Sequence, residues 1–122
     1  MCLATIDKEK KNWRVGYKVF RIVDDTLRSP IFGCTIFKIN EWIKDICNKN
    51  LLAENCEYEW YPTGFHFFRN KSDAEKWKAY GGCEVVLKIK VRDMVVTGTQ
   101  YLSGKYRKVG VAREIFIKGE QK

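Results

Sequence analysis

CEVVLKIKVR, residues 83–92, sets Val85, Leu87, Ile89 and Val91 at every second position, with Lys88, Lys90 and Arg92 among the residues between them. Successive side chains of an extended chain point to opposite faces, so this spacing defines a strand with one apolar face and one wet, cationic face. Two further segments carry strand chemistry. VGYKVFRIV, residues 15–23, is β-branched and aromatic and stops at DDTL, a turn sequence; VGVAREIFIKG, residues 109–119, reads as the last strand.

Between these strands the punctuation is uneven. RSPIFG resumes as a short extended piece that forms a hairpin with residues 15–23, and Pro30 confines it to an edge or a strand start. CTIFKINEWIKDIC fits helical spacing at Ile36, Ile39, Trp42, Ile43 and Ile46 and also contains short strand-like runs; the expectation is a strand followed by a short helix. NKNLLAEN reads as a surface connection. Pro62 and Gly64 mark a turn, and GFHFF is extended. Ser72 with Glu75 forms a capping box for a helix running to about Tyr80, which Gly81 and Gly82 would end. Asp93 is expected to open a turn, MVVTGTQY to resume a strand, and LSGKYRKVG to form a loop.

The pattern predicts an α+β fold: a mostly antiparallel sheet of short strands decorated by one or two helices. A length of 122 residues fits one domain, with residues 1–13 a charged lead and 118–122 a tail. Hydrophobic residues at 45% and aromatics at 14% suffice for a core.

Lys+Arg 23 against Asp+Glu 15 leaves a formal charge of +8, which calls for an anionic partner: nucleic acid, nucleotide or acidic membrane. No run approaches the ~20 apolar residues of a membrane span, and MCLATIDKEKKNW lacks the apolar stretch of a signal peptide, so a cytosolic protein is expected. The five cysteines, Cys2, Cys34, Cys47, Cys56 and Cys83, are odd in number and form no CxxC, and His66 is the only histidine. Reduced, packed thiols and no metal site follow.

Five segments could carry a site. Arg113 falls in the same alternating row as Val109, Val111, Ile115 and Ile117. A guanidinium among aliphatic neighbours needs a carboxylate of the protein or a bound phosphate, and the sequence leaves both open. Arg28 and Ser29 stand together at the hairpin mouth, where a fork of donors and a hydroxyl suit a phosphate. His66 alternates with Phe65 and Phe67, and serves either as a hydrogen-bonded structural ring or as part of a pocket wall. Either phenylalanine stacks on a purine or packs in the core. Thr97–Tyr106 joins two glycines to hydroxyl side chains, but it matches neither the phosphate-binding loop nor the dinucleotide fingerprint. Lys88, Lys90 and Arg92 line a solvent face, which keeps a nucleic-acid reading as a rival although no recognition helix or RNA-binding motif is present.

YKVFRIVDDTLRSPIF, YPTGFHFF and VGVAREIFI, taken in this order, resemble the small phage-encoded Thoeris anti-defence sponge proteins. The resemblance implies a decorated antiparallel sheet that forms dimers or larger homo-oligomers. It implies binding, without cleavage, of a cyclic ADP-ribose isomer made from NAD by a TIR-domain defence protein in the infected bacterial host. Chemistry, and not residue-by-residue correspondence, then assigns the contacts. Arg28 and Arg113 would hold the pyrophosphate, Phe65 or His66 would flank the base, and Ser29, Thr99 and Tyr101 would bond sugar or phosphate. Because capture at nanomolar strength requires about −12 kcal/mol, the pocket is expected to border a subunit interface. No cofactor is implied. The enzyme alternative groups Tyr61, His66 and Glu114 in the manner of an ADP-ribosyltransferase.

Overall fold

The computed structural model describes residues 3–28, 36–44, 52–54, 60–62, 64–78 and 84–119; Ser29, Pro30 and all five cysteines lie outside that set. In chain order the strands are β1 (Thr5–Ile6), β2 (Val15–Val23), β3 (Thr26–Arg28), β4 (Ile36–Phe37), β5 (Trp42–Lys44), β6 (Leu52–Glu54), β7 (Trp60–Pro62) and β8 (Phe65–Phe68). The helix α1 (Lys71–Trp77) follows, then β9 (Glu84–Leu102) and β10 (Lys105–Ile117). The main sheet is antiparallel and runs β1-β9-β10-β8-β2-β3-β4, with β5 also paired to β10. Because β2 pairs with β9 as well as with β8, the strands β9, β10, β8 and β2 close into a ring. β6 and β7 pair separately.

The mostly antiparallel sheet agrees with the sequence, and β2 has the expected bounds. Its strands are not all short, however. β9 extends over 19 residues and β10 over 13. Asp93 does not end β9; it adopts a left-handed φ of 57° inside the strand. The expected loop at LSGKYRKVG contracts to a turn at Ser103 and Gly104, both with positive φ, which matches the right-handed twist of the flanking strands. The β2–β3 hairpin likewise turns on Asp24 and Asp25 alone, both left-handed, so the partner strand is Thr26–Arg28. The rest of RSPIFG falls outside the described residues.

Other expectations shift for local reasons. Trp42–Lys44 is a strand, because pairing with Glu114–Phe116 satisfies its backbone where a helix would have needed its own hydrogen bonds. Part of the expected surface connection, Leu52–Glu54, is a strand for the same reason. α1 is the one described helix, and it is capped by Asn70 with no side-chain cap bond, which places Ser72 inside the first turn and removes it from the capping role. It ends at Trp77 instead of Tyr80, and Gly81 and Gly82 lie outside the described residues.

Two apolar clusters hold the sheet. One contains Phe20, Phe37, Phe65, Phe67, Ile89, Val91, Met94, Ala112, Ile115 and Ile117. Phe67 owes its place to two glycines: a Cβ on Gly16 would lie 2.2 Å from its ring, and one on Gly110 2.7 Å. The other cluster joins Leu3, Val19, Phe68, Val96, Val109 and Val111 to Ala74 of α1.

β10 contributes to both clusters, and this corrects the reading of Arg113. Val109 and Val111 belong to one cluster and Ile115 and Ile117 to the other, so the four do not form a single row. A register shift lies between Val111 and Ala112, and the kink at Asp93 sits across from the same stretch. Arg113, half-buried, lies at this change of phase. The buried guanidinium is instead Arg107. Its Nη1 donates to Asp73 Oδ1 at 2.6 Å and its Nε to the Leu102 carbonyl at 3.0 Å.

Candidate functional site

The alternation that makes residues 84–92 a strand leaves Lys88, Lys90 and Arg92 exposed on one face while Ile89 and Val91 are buried on the other. Register then supplies their neighbours. Lys90 lies between Val15 of β2 and Phe116 of β10, and Phe116 is opposite Trp42 of β5. One step along, Arg92 is opposite Glu114, which is opposite Lys44. Aromatic and cationic side chains are thereby interleaved across three strands.

Distances within the array are short. The Arg92 guanidinium carbon lies 3.9 Å from the centroid of the Trp42 ring, and its Nη2 donates to Glu114 Oε1 at 3.0 Å. Trp42 and Phe116 have centroids 5.6 Å apart, and Lys90 Nζ lies 5.6 Å from the Phe116 centroid. The hydrogen bond from Arg92 holds the Glu114 carboxyl below the ordinary carboxylate value, against partial desolvation acting the other way.

Beside this array a groove of about 400 Å³ is lined by Trp13, Arg14, Trp42, Lys90, Arg92 and Asp93, among others. Asp93 and Arg92 are consecutive and both exposed, which a regular strand would not allow on one side; the left-handed kink produces it. The Trp13 wall is fixed from behind, since its ring meets Phe67 edge-on at 6.2 Å and the Arg69 guanidinium lies 5.7 Å from its centroid. The Arg14 carbonyl accepts from the Val91 amide at 2.8 Å, which pins the N-terminal wall to β9. The groove therefore offers two indole rings and three cations, opposed by Asp93 and Glu114. That combination suits a flat ring bearing phosphate.

Of the seven residues expected from sequence, none of the six that are described lines this groove, and these six are not brought together. Phe65 is buried in the core with its ring 5.4 Å from Phe37, so it presents no face to a base. Arg28 ends β3, half-buried, opposite Arg21, with Nε donating to Thr26 Oγ1 at 3.3 Å. Thr99 lies across from Thr5, their hydroxyls 2.6 Å apart. Tyr101 is exposed at the β9–β10 hairpin and meets Tyr106 edge-on at 5.1 Å. Ser29 lies outside the described residues. Of the enzyme set, Tyr61 is on β7, His66 is opposite Val111, and Glu114 is engaged by Arg92. The cationic half of the groove was visible in the alternation of β9. The aromatic half needed the pairing of β5 with β10, which no local pattern encodes.

His66 is packed within the sheet, and its carbonyl accepts from Lys18 Nζ at 2.8 Å. Burial, then the Lys18 ammonium, pushes the imidazole from 6.5 down to about 3, with a Gly64 backbone bond pulling the other way. The ring is neutral in the folded chain while the unfolded chain takes up a proton below 6.5, so this burial stabilises fully above 6.5 and is lost as pH falls towards 3. Urea unfolding of the wild type and of His66→Gln across that window is expected to show a steeper acid loss in the wild type. Parallel curves would mean that the ring titrates normally.

Among the described residues no group of three or more histidine, cysteine, aspartate or glutamate side chains gathers to hold a metal ion, and no helix is long and apolar enough to cross a membrane. Comparison with protein-family models, curated proteins and solved structures found no match.

Proposed function

We propose that the chain is a non-catalytic binding protein that captures a nucleotide-type anion at the Trp13–Trp42 groove. The observation that carries this reading is the Arg92 guanidinium stacked on Trp42 beside Arg14 and Lys90, an aromatic plane and phosphate donors within one cleft. The specific form of the proposal follows the resemblance. The ligand is a cyclic ADP-ribose isomer, taken up intact, and its removal silences the defence that a TIR-domain protein signals in an infected bacterium. The groove is open, and in this reading a second copy of the chain borders it, so that the site lies beside a homo-oligomer interface.

Binding in preference to turnover is supported by the state of the acid–base groups. Burial and the Lys18 ammonium leave His66 a weak base, and Glu114 is already committed to Arg92. Incubation with cyclic ADP-ribose isomers, removal of the protein by filtration and heating of the retained fraction tests the proposal. Return of intact ligand in stoichiometric amount is the expected result. An altered product, or steady nicotinamide release from NAD, would replace it with the ADP-ribosyltransferase alternative.

A further inference from the structure

The cationic row does not stop at the groove. Lys88 is exposed on the same strand two positions before Lys90, which is itself two positions before Arg92, and residues so spaced lie roughly 6.5–7 Å apart along an extended strand. Lys44 adds a fourth exposed cation beyond Glu114 in the neighbouring row. Trp42, 37% exposed, and the half-buried Phe116 run beside these charges. A mononucleotide has one base and one phosphate group to satisfy, and the groove meets both needs without Lys88. A line of evenly spaced cations flanked by aromatic rings, of which Trp42 is partly exposed, matches instead a ligand whose phosphates and bases repeat.

We infer that the β9 face is a track for single-stranded nucleic acid, entering at the Trp13–Trp42 groove and continuing past Lys90 to Lys88. The inference rests on the groove being a nucleotide site and extends it to a chain of nucleotides. Single strands are favoured over duplex because stacking on Trp42 requires a base with a free face, which a paired base lacks. Sequence preference is expected to be weak, since the face offers ring planes and point charges but no ordered set of donors and acceptors to read base edges. The +8 net charge adds long-range attraction for such a strand.

Tryptophan fluorescence titration of the full chain with AMP, dT4, dT8, dT12, rU12, a 12-base-pair duplex and a heparin hexasaccharide tests the inference. Affinity is expected to rise with length, with dT12 at least tenfold tighter than AMP. Its log K should fall with log salt at a slope of about −2, the value for three neutralised phosphates on a single strand. Lys88→Glu and Lys88→Gln should each weaken dT12 several-fold and leave AMP unchanged, with thermal unfolding confirming the fold of both variants. The dT12 and rU12 arms decide between DNA and RNA as the source of the strand. AMP binding with no gain in dT12 would overturn the track and leave the nucleotide groove standing; absence of binding by AMP and dT12 alike would remove both. Tighter binding of duplex than of dT12, or equal binding of heparin, would assign the face to backbone charge alone and overturn the single-strand reading.

Discussion

Asp73→Ala is expected to lower the unfolding free energy by about 3–5 kcal/mol, the effect of leaving one member of a buried ion pair uncompensated. The Arg107 side chain is 6% exposed and that of Asp73 9%, so water does not replace the lost carboxylate. What remains to the guanidinium is the Leu102 carbonyl, which satisfies Nε and leaves Nη1 without its partner. The pair joins α1 to β10, and α1 spans 7 residues, too short to hold its shape alone. Against a total stability of about 5–15 kcal/mol this change removes a large fraction of the whole. Urea unfolding gives the measurement. The double variant Asp73→Leu with Arg107→Met should recover most of the loss, because filling the site with apolar volume removes the desolvated charge along with its partner. A loss under 1 kcal/mol in Asp73→Ala would mean that Arg107 reaches solvent by another rotamer and that the pair does not anchor the helix.

That pair also shows what the sequence conceals. Period-two counting draws attention to Arg113 and passes over Arg107, which is the buried one. The count assumed that β10 keeps one phase from Val109 to Ile117, whereas Val109 and Val111 face one cluster and Ile115 and Ile117 the other. The change of phase coincides with the left-handed Asp93 on β9, a backbone event that aspartate tolerates but does not announce. Local signals did better where a pattern is self-contained. β2 and the 84–92 alternation are both strands, and DD makes a tight turn. The groove was half legible: the cations of β9 are visible as an alternating row, while Trp42 enters only because β5 pairs with β10 at a separation of about seventy residues, which no window of sequence contains. Phe65 was misplaced as a stacking group because a strand between two covered faces has no solvent side to offer it.

Trp42→Ala is expected to weaken binding of AMP by roughly five- to 150-fold, since loss of a stacking ring removes about 1–3 kcal/mol per base. Arg92 separates two explanations of that loss. In Arg92→Lys the charge remains, but the planar group that lies 3.9 Å from the Trp42 centroid does not, and neither does the fork that can hold a phosphate on two donors. If the guanidinium orders the indole and clamps phosphate, the lysine variant falls nearly as far as Trp42→Ala; if charge alone matters, it keeps full affinity. Glu114 gives the opposing prediction. Its carboxylate occupies Arg92 Nη2 at 3.0 Å, where an incoming phosphate oxygen would sit, so a ligand must displace it or share the guanidinium with it. Glu114→Gln removes the competing charge while retaining an oxygen acceptor, and AMP should bind several-fold more tightly. Calorimetric titration of the three variants against the wild type reads all of this at once. Loss in Trp42→Ala and Arg92→Lys together with gain in Glu114→Gln requires the ligand's phosphate to take the place that Glu114 now holds, and weaker binding in Glu114→Gln would show that the carboxylate positions Arg92 and does not compete for it.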